Sequence, residues 1–129
     1  MNRASSLVRL FVRSRAGSTA VEFAMILPVF LAVIFGIIEF GRMIWTRNTM
    51  EHAVEVAARW GAINTAKTDA EIEAYAATQL IVITSPPVAF SSTSSSSSVS
   101  LTATNDFTSL AAAFGIPSLT LTATAQFPR

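Results

Sequence analysis

Glu22 stands at the mouth of an apolar run, in the stretch from Arg15 to Phe30 that reads RAGSTAVEFAMILPVF. A charge taken out of water without a partner costs on the order of several kcal/mol, so such a carboxylate is normally neutralised, paired or held at the aqueous edge. From its position alone, a resting place among lipid headgroups suits it. Small residues precede it. Ala16, Gly17 and Ser18 fit a narrow protease cleft, and a cut after Gly17 leaves Ser18 as a new amino terminus with Glu22 fifth in the shortened chain. Other chemistry is poorly provided for. His52 is the single histidine and lies between Glu51 and Ala53 on what reads as a solvated helix face. Glu51 and Glu55 are four apart, a spacing that faces water on a surface helix. The serines fall in low-complexity or alternating stretches, without a GxSxG elbow. The sequence has no phosphate loop, no HExxH and no cluster of cation ligands, and without cysteine it has neither thiolate zinc sites nor disulfides. No catalytic residue, metal site, cofactor or small-molecule substrate is expected.

The elements that position Glu22 begin with the apolar run itself. Phe23–Ile38 holds sixteen residues without a charge, and half of the whole chain is hydrophobic against 13% charged, low for a water-soluble domain. At about 1.5 Å per residue this run covers roughly 24 Å as a helix, short of the roughly 30 Å hydrocarbon core. Extension to residues 18–45 makes it long enough, at the cost of admitting Glu39 and Arg42, which lie three apart and so adjoin on a helix. Trp45 suits an interfacial anchor. Arg3, Arg9, Arg13 and Arg15 precede the span with no acid among them, whereas residues beyond 17 carry five basic and eight acidic side chains. This bias makes residues 1–17 a cytoplasmic leader and places the remainder outside. The basic flank is too short for a nucleic-acid surface, so no nucleic-acid partner is expected. Pro28 removes one backbone donor and crowds the carbonyl of Ala24, so a helix kink is expected there.

Beyond the span the helical pattern continues over residues 46–64. Met43, Met50, Val54, Ala57 and Gly61 form one apolar stripe, and Ala53, Ala57 and Gly61, four apart, mark where another element packs closely. Glu55 and Arg59 have the spacing of an ion pair. Gly61 and residues 64–67 are expected to loosen the chain. Residues 65–129 read as a small α+β domain. Thr68-Asp69-Ala70-Glu71 is a capping box, followed by a stripe of Ile72, Tyr75, Ala76, Leu80 and Ile83, interrupted by Gln79, and by the stop Ser85-Pro86-Pro87. Val88–Phe90 reads as a short strand and Ser91–Ser98 as a mobile loop with nothing apolar to bury. Val99–Asn105 and Ser118–Phe127 alternate cleanly, with Val99, Leu101 and Ala103 on one face, and Leu119, Leu121, Ala123, Ala125 and Phe127 likewise; Ser109–Phe114 between them suits a helical turn. The expected fold is α+β: a long N-terminal helix, transmembrane then amphipathic, packed on an antiparallel three-stranded meander whose apolar face the Met50/Val54/Ala57 stripe covers.

Gly17, four residues, then Glu22-Phe23 is similar to the Flp-type prepilin processing motif of the tight-adherence (Tad) system. The longer stretch GSTAVEFAMILPVFLAVIFGIIEFGRMIWTRNTMEHAVEVAARW resembles the TadE-like family of minor pilins, or pseudopilins, from Gly17 to about Trp60. The resemblance implies a pilin-like fold, cleavage between Gly17 and Ser18 by a membrane-embedded prepilin peptidase, and a role in biogenesis of Flp-type adhesion pili. The implied partners are that peptidase, other pilin or pseudopilin subunits, the assembly machinery and the bacterial cytoplasmic membrane. It also implies that Glu22 pairs with the mature amino terminus of a neighbouring subunit. Major Flp pilins are much shorter than this chain, so the main pilus subunit is not implied. The alternative is an unprocessed bitopic protein whose outer domain serves as an envelope scaffold or binds a partner.

Overall fold

A computed structural model describes residues 15–81, 84, 86–110, 112, 115 and 117–129. The chain forms helix α1 (Arg15–Ile63), helix α2 (Asp69–Gln79) and strands β1 (Ala89–Ser94), β2 (Ser98–Phe107) and β3 (Leu119–Pro128). Two compact units divide it, the first reaching Ile38 and the second running Glu39–Arg129. In the first unit α1 passes through Pro28 without interruption, and Phe23, Met25, Ile26, Val29 and Phe30 all stand exposed. Such a helix has no core to face within its own unit, and it is long and apolar enough to cross a membrane.

The second unit is built on the stripe read from the sequence. Met50, Val54 and Ala57 of α1 are fully buried with Val99, Leu101 and Ala103 of β2, Leu121 and Ala123 of β3, and Ile72 and Ala76 of α2; Met43 packs at the edge of this cluster. Each large side chain buried this way stabilises the fold by about 1.5–3 kcal/mol. The sheet is an antiparallel meander in the order β1-β2-β3, with Ala103 opposite Phe90 on one side and Ala123 on the other. The alternation of β2 lies on the faces expected. On β3 the apolar face is buried at Leu121 and Ala123 but open at Leu119.

Two loosening segments behave otherwise than expected. Gly61 lies inside α1, not at a break, and is buried. A Cβ there would stand 2.5 Å from Ile72 Cδ1 and 2.9 Å from its Cγ1, so the glycine permits α2 to cross α1 closely. The turn that follows is tied by Asn64 Nδ2 donating to the Trp60 carbonyl (2.8 Å) and by Trp60 stacking on Tyr75 with ring centroids 4.6 Å apart. The capping box forms in full: Thr68 Oγ1 accepts from Glu71 N, and Glu71 Oε2 accepts from Thr68 N at 2.9 Å. On the exposed face of α1 the ion pair that forms is Arg47–Glu51 (2.9 Å), in place of the expected Glu55–Arg59. Ile83 of the expected stripe lies outside the described residues.

The hydroxyl run is the second departure. Its first half, Ser91–Ser94, is strand and pairs with Val99–Thr102 of β2, and its second half is a tight turn closed by Ser95 N donating to Ser98 O at 2.8 Å. Ladder pairing uses backbone groups, so a strand with no apolar side chain forms when its edge is also satisfied. Here α2 supplies that: Glu73 Oε1 accepts Ser92 N–H at 2.7 Å, and Asp69 Oδ1 accepts the hydroxyls of Ser92 (3.1 Å) and Ser94. The hydrogen bond from Ser94 holds the Asp69 carboxyl below its ordinary value.

Candidate functional site

The sequence-predicted site residues lie on the first turns of α1. The helix opens at Arg15, so Gly17 and Ser18 are helical and Glu22 follows Ser18 by one turn. Ser18 Oγ donates to Glu22 Oε1 at 3.2 Å, which places the serine and the carboxylate on one face. Glu22 and Phe23 are both exposed, Phe23 by 63%. The same face would present the amino group of Ser18 and the Glu22 carboxylate together if the chain began at Ser18.

Gly17 is informative by what surrounds it. Nothing lies within 4 Å of a Cβ placed there, and its backbone is not in the left-handed region that favours glycine. A glycine in a helix is disfavoured by roughly 1 kcal/mol relative to alanine. The described fold offers no packing or backbone reason for it. Gly36 and Gly41 are equally open on the same helix.

A further polar group escaped the sequence reading. Glu39 and Arg42 form the expected pair at 2.8 Å, but Glu39 also accepts the backbone N–H of Leu110 through Oε1 at 2.9 Å, and the Arg42 guanidinium lies over the Phe107 ring at 5.3 Å. These two residues therefore fasten the β2–β3 connection to α1. The pairing at three-residue spacing was visible in the sequence; a partner 71 residues away was not.

Among the described residues there is no group of His, Cys, Asp or Glu able to hold a metal ion. A cleft of about 300 Å³ between α1 and β3 is lined by Glu51, Val54, Glu55 and Thr124 to Phe127. No curated protein and no solved structure matches the chain. From Gly17 through Arg59, however, the resemblance noted in the sequence is borne out: over residues 17–59 the chain matches the family model of TadE-like protein.

Proposed function

We propose that this chain is a single-pass membrane protein of the minor pilin, or pseudopilin, type, cleaved between Gly17 and Ser18 by a prepilin peptidase and acting in the assembly of Flp/Tad-type adhesion pili. The observation that carries the reading is a coincidence at one residue. The family match begins at Gly17, a glycine with open space around it, one turn and a half before a carboxylate at the mouth of an apolar helix. In this reading the N-terminal leader is cytoplasmic, the span lies in the bacterial inner membrane and the α+β unit lies outside.

Physical chemistry supports the two roles given to the motif. An α-amino group titrates at roughly 8 and is cationic near neutral pH. Placed at the start of a helix it opposes the positive end of the macrodipole, and a carboxylate in the first turns relieves it. Glu22 of a neighbouring subunit can supply that charge in a medium of low dielectric, where the pair is stronger than in water and each partner offsets the desolvation of the other. Such a pair also fixes axial register between parallel apolar helices, which otherwise slide with little penalty.

Glu22→Gln tests the assembly role. Glutamine keeps size and helix propensity and removes the charge, so insertion and cleavage proceed while incorporation falls. The measurement is co-purification with the other pilus subunits, or pilus yield, beside the intact mass of the processed chain. Fully processed Glu22→Gln protein that assembles normally would make Glu22 a carboxylate resting in the headgroups.

A further inference from the structure

We infer that Leu110 and Leu119, which flank the turn from β2 to β3, form a second membrane contact, two exposed leucines resting in the outer lipid interface beside the point where α1 leaves the bilayer. The inference rests on the membrane reading of α1 proposed above. From Ser18 to Ile38 the helix rises about 30 Å, the thickness of the hydrocarbon core. By chain order the next residue is Glu39, the first charge after Glu22. Glu39 is therefore the first side chain at the outer surface, and Trp45, 59% exposed and less than two turns on, has the type and position of an interfacial aromatic.

Leu110 shares this depth because it is tied to Glu39 directly. The Leu110 N–H reaches the Glu39 carboxylate at 2.9 Å, and Phe107, three residues earlier, lies under the guanidinium of Arg42. A hydrogen bond of that length fixes Leu110 within a side chain's reach of Glu39, whatever the tilt of the helix. At this level the Leu110 side chain is 62% exposed, and Leu119, opposite Phe107 at the start of β3, is 53% exposed. The sequence from Ser109 to Leu119 carries no charge. In water these exposed leucines are a liability; at a lipid interface they bury apolar surface. The Glu39–Arg42 pair serves both ends, closing the span and holding the loop against it.

The chain has no cysteine, so single-cysteine labelling is clean. Full-length protein in vesicles of zwitterionic and anionic phospholipid would carry an environment-sensitive fluorophore at Leu110→Cys, at Ser96→Cys, or at Val29→Cys. Ser96 lies in the β1–β2 turn at the far end of the sheet, and Val29 lies in the span. The expected result is blue-shifted emission at 110, quenched several-fold by lipids brominated near the headgroup and protected from aqueous iodide. Position 96 should show the reverse. Iodide quenching at 110 as strong as at 96 would overturn the inference. So would a label at 110 shielded from iodide yet indifferent to brominated lipid, which would mean that a protein surface covers the loop. Lipids brominated near their chain ends should quench position 29; that quenching without headgroup-lipid quenching at 110 removes the contact at 110 alone, whereas its loss at 29 removes the membrane reading and this inference with it.

Discussion

Gly61 shows how one residue joins two helices. Alanine at this position would gain up to about 1 kcal/mol in helix propensity. Against that, the added methyl meets Ile72 Cδ1 and Cγ1 inside ordinary contact distance, and Ile72 is fully buried, so the side chain must shift within the core. Overpacking of this kind costs about 1–3 kcal/mol, so the clash wins. Gly61→Ala should lower stability by about 1 kcal/mol, a fall in Tm of roughly 4–8 °C for a unit of this size. Ile72→Val removes the Cδ1 atom at the closest contact, so adding it to Gly61→Ala should cost less than it does alone. Thermal melts of the four variants check this; additive losses would show that the two residues do not meet. Gly61 was legible as part of a small-residue stripe, but also as a helix breaker, and only the position of Ile72 decides between them. Glu22 and Gly17 were legible because their types are out of place locally: a charge at an apolar edge, and a glycine that the helix does not use.

At the scale of elements, two contacts can be tested separately. The first is α1 on the sheet. Val54 is 1% exposed in the cluster with Leu101 and Ala123, so Val54→Asp places an unpaired charge there and should cost about 3 kcal/mol or more. A circular-dichroism melt of residues 39–129 carrying this change should show loss of the cooperative transition; an unchanged melt would mean that α1 is not the cover. The second contact is α2 on the edge of β1. The hydrogen bond from Ser94 holds Asp69 below its ordinary 3.8, and the bond from Lys67 together with those from Thr68 lowers Glu71 from 4.5 to about 2. Groups with depressed folded values add stability that is fully present above their ordinary values and is lost as pH falls toward the folded ones. The melting temperature should therefore hold above about pH 5 and decline between pH 4.5 and 2. Asp69→Asn should start lower and decline less, and a wild-type melt flat to pH 2 would contradict the contact. The capping box and the alternation of β2 were readable because they depend on neighbours within a few residues. The strand at Ser91–Ser94 was not, because it depends on β2 through backbone bonds and on carboxylates 19 to 25 residues away. Neither leaves an apolar pattern.

For the whole molecule, the order of parts carries the functional reading. A basic N-terminal stretch, an apolar helix and a small α+β unit follow one another in the sequence, with Gly17 and Glu22 where the apolar run begins and Glu39 and Arg42 where the second unit begins. The fold class was readable because each part has its own periodicity: continuous apolar residues, then a stripe, then alternation. The ties between distant segments, Leu110 to Glu39 above all, follow from topology and had no sequence signal. The central claim is that the chain is a peptidase substrate between Gly17 and Ser18. N-terminal sequencing and intact mass of the full-length protein, produced with an active Flp-type prepilin peptidase, test it most directly. The account predicts a chain beginning at Ser18, lacking residues 1–17, and a Gly17→Leu chain that stays full length although Gly17 touches nothing in the fold. Recovery of Met1 or Asn2 at the amino terminus beside an active peptidase, or equal cleavage of Gly17→Leu, would contradict it.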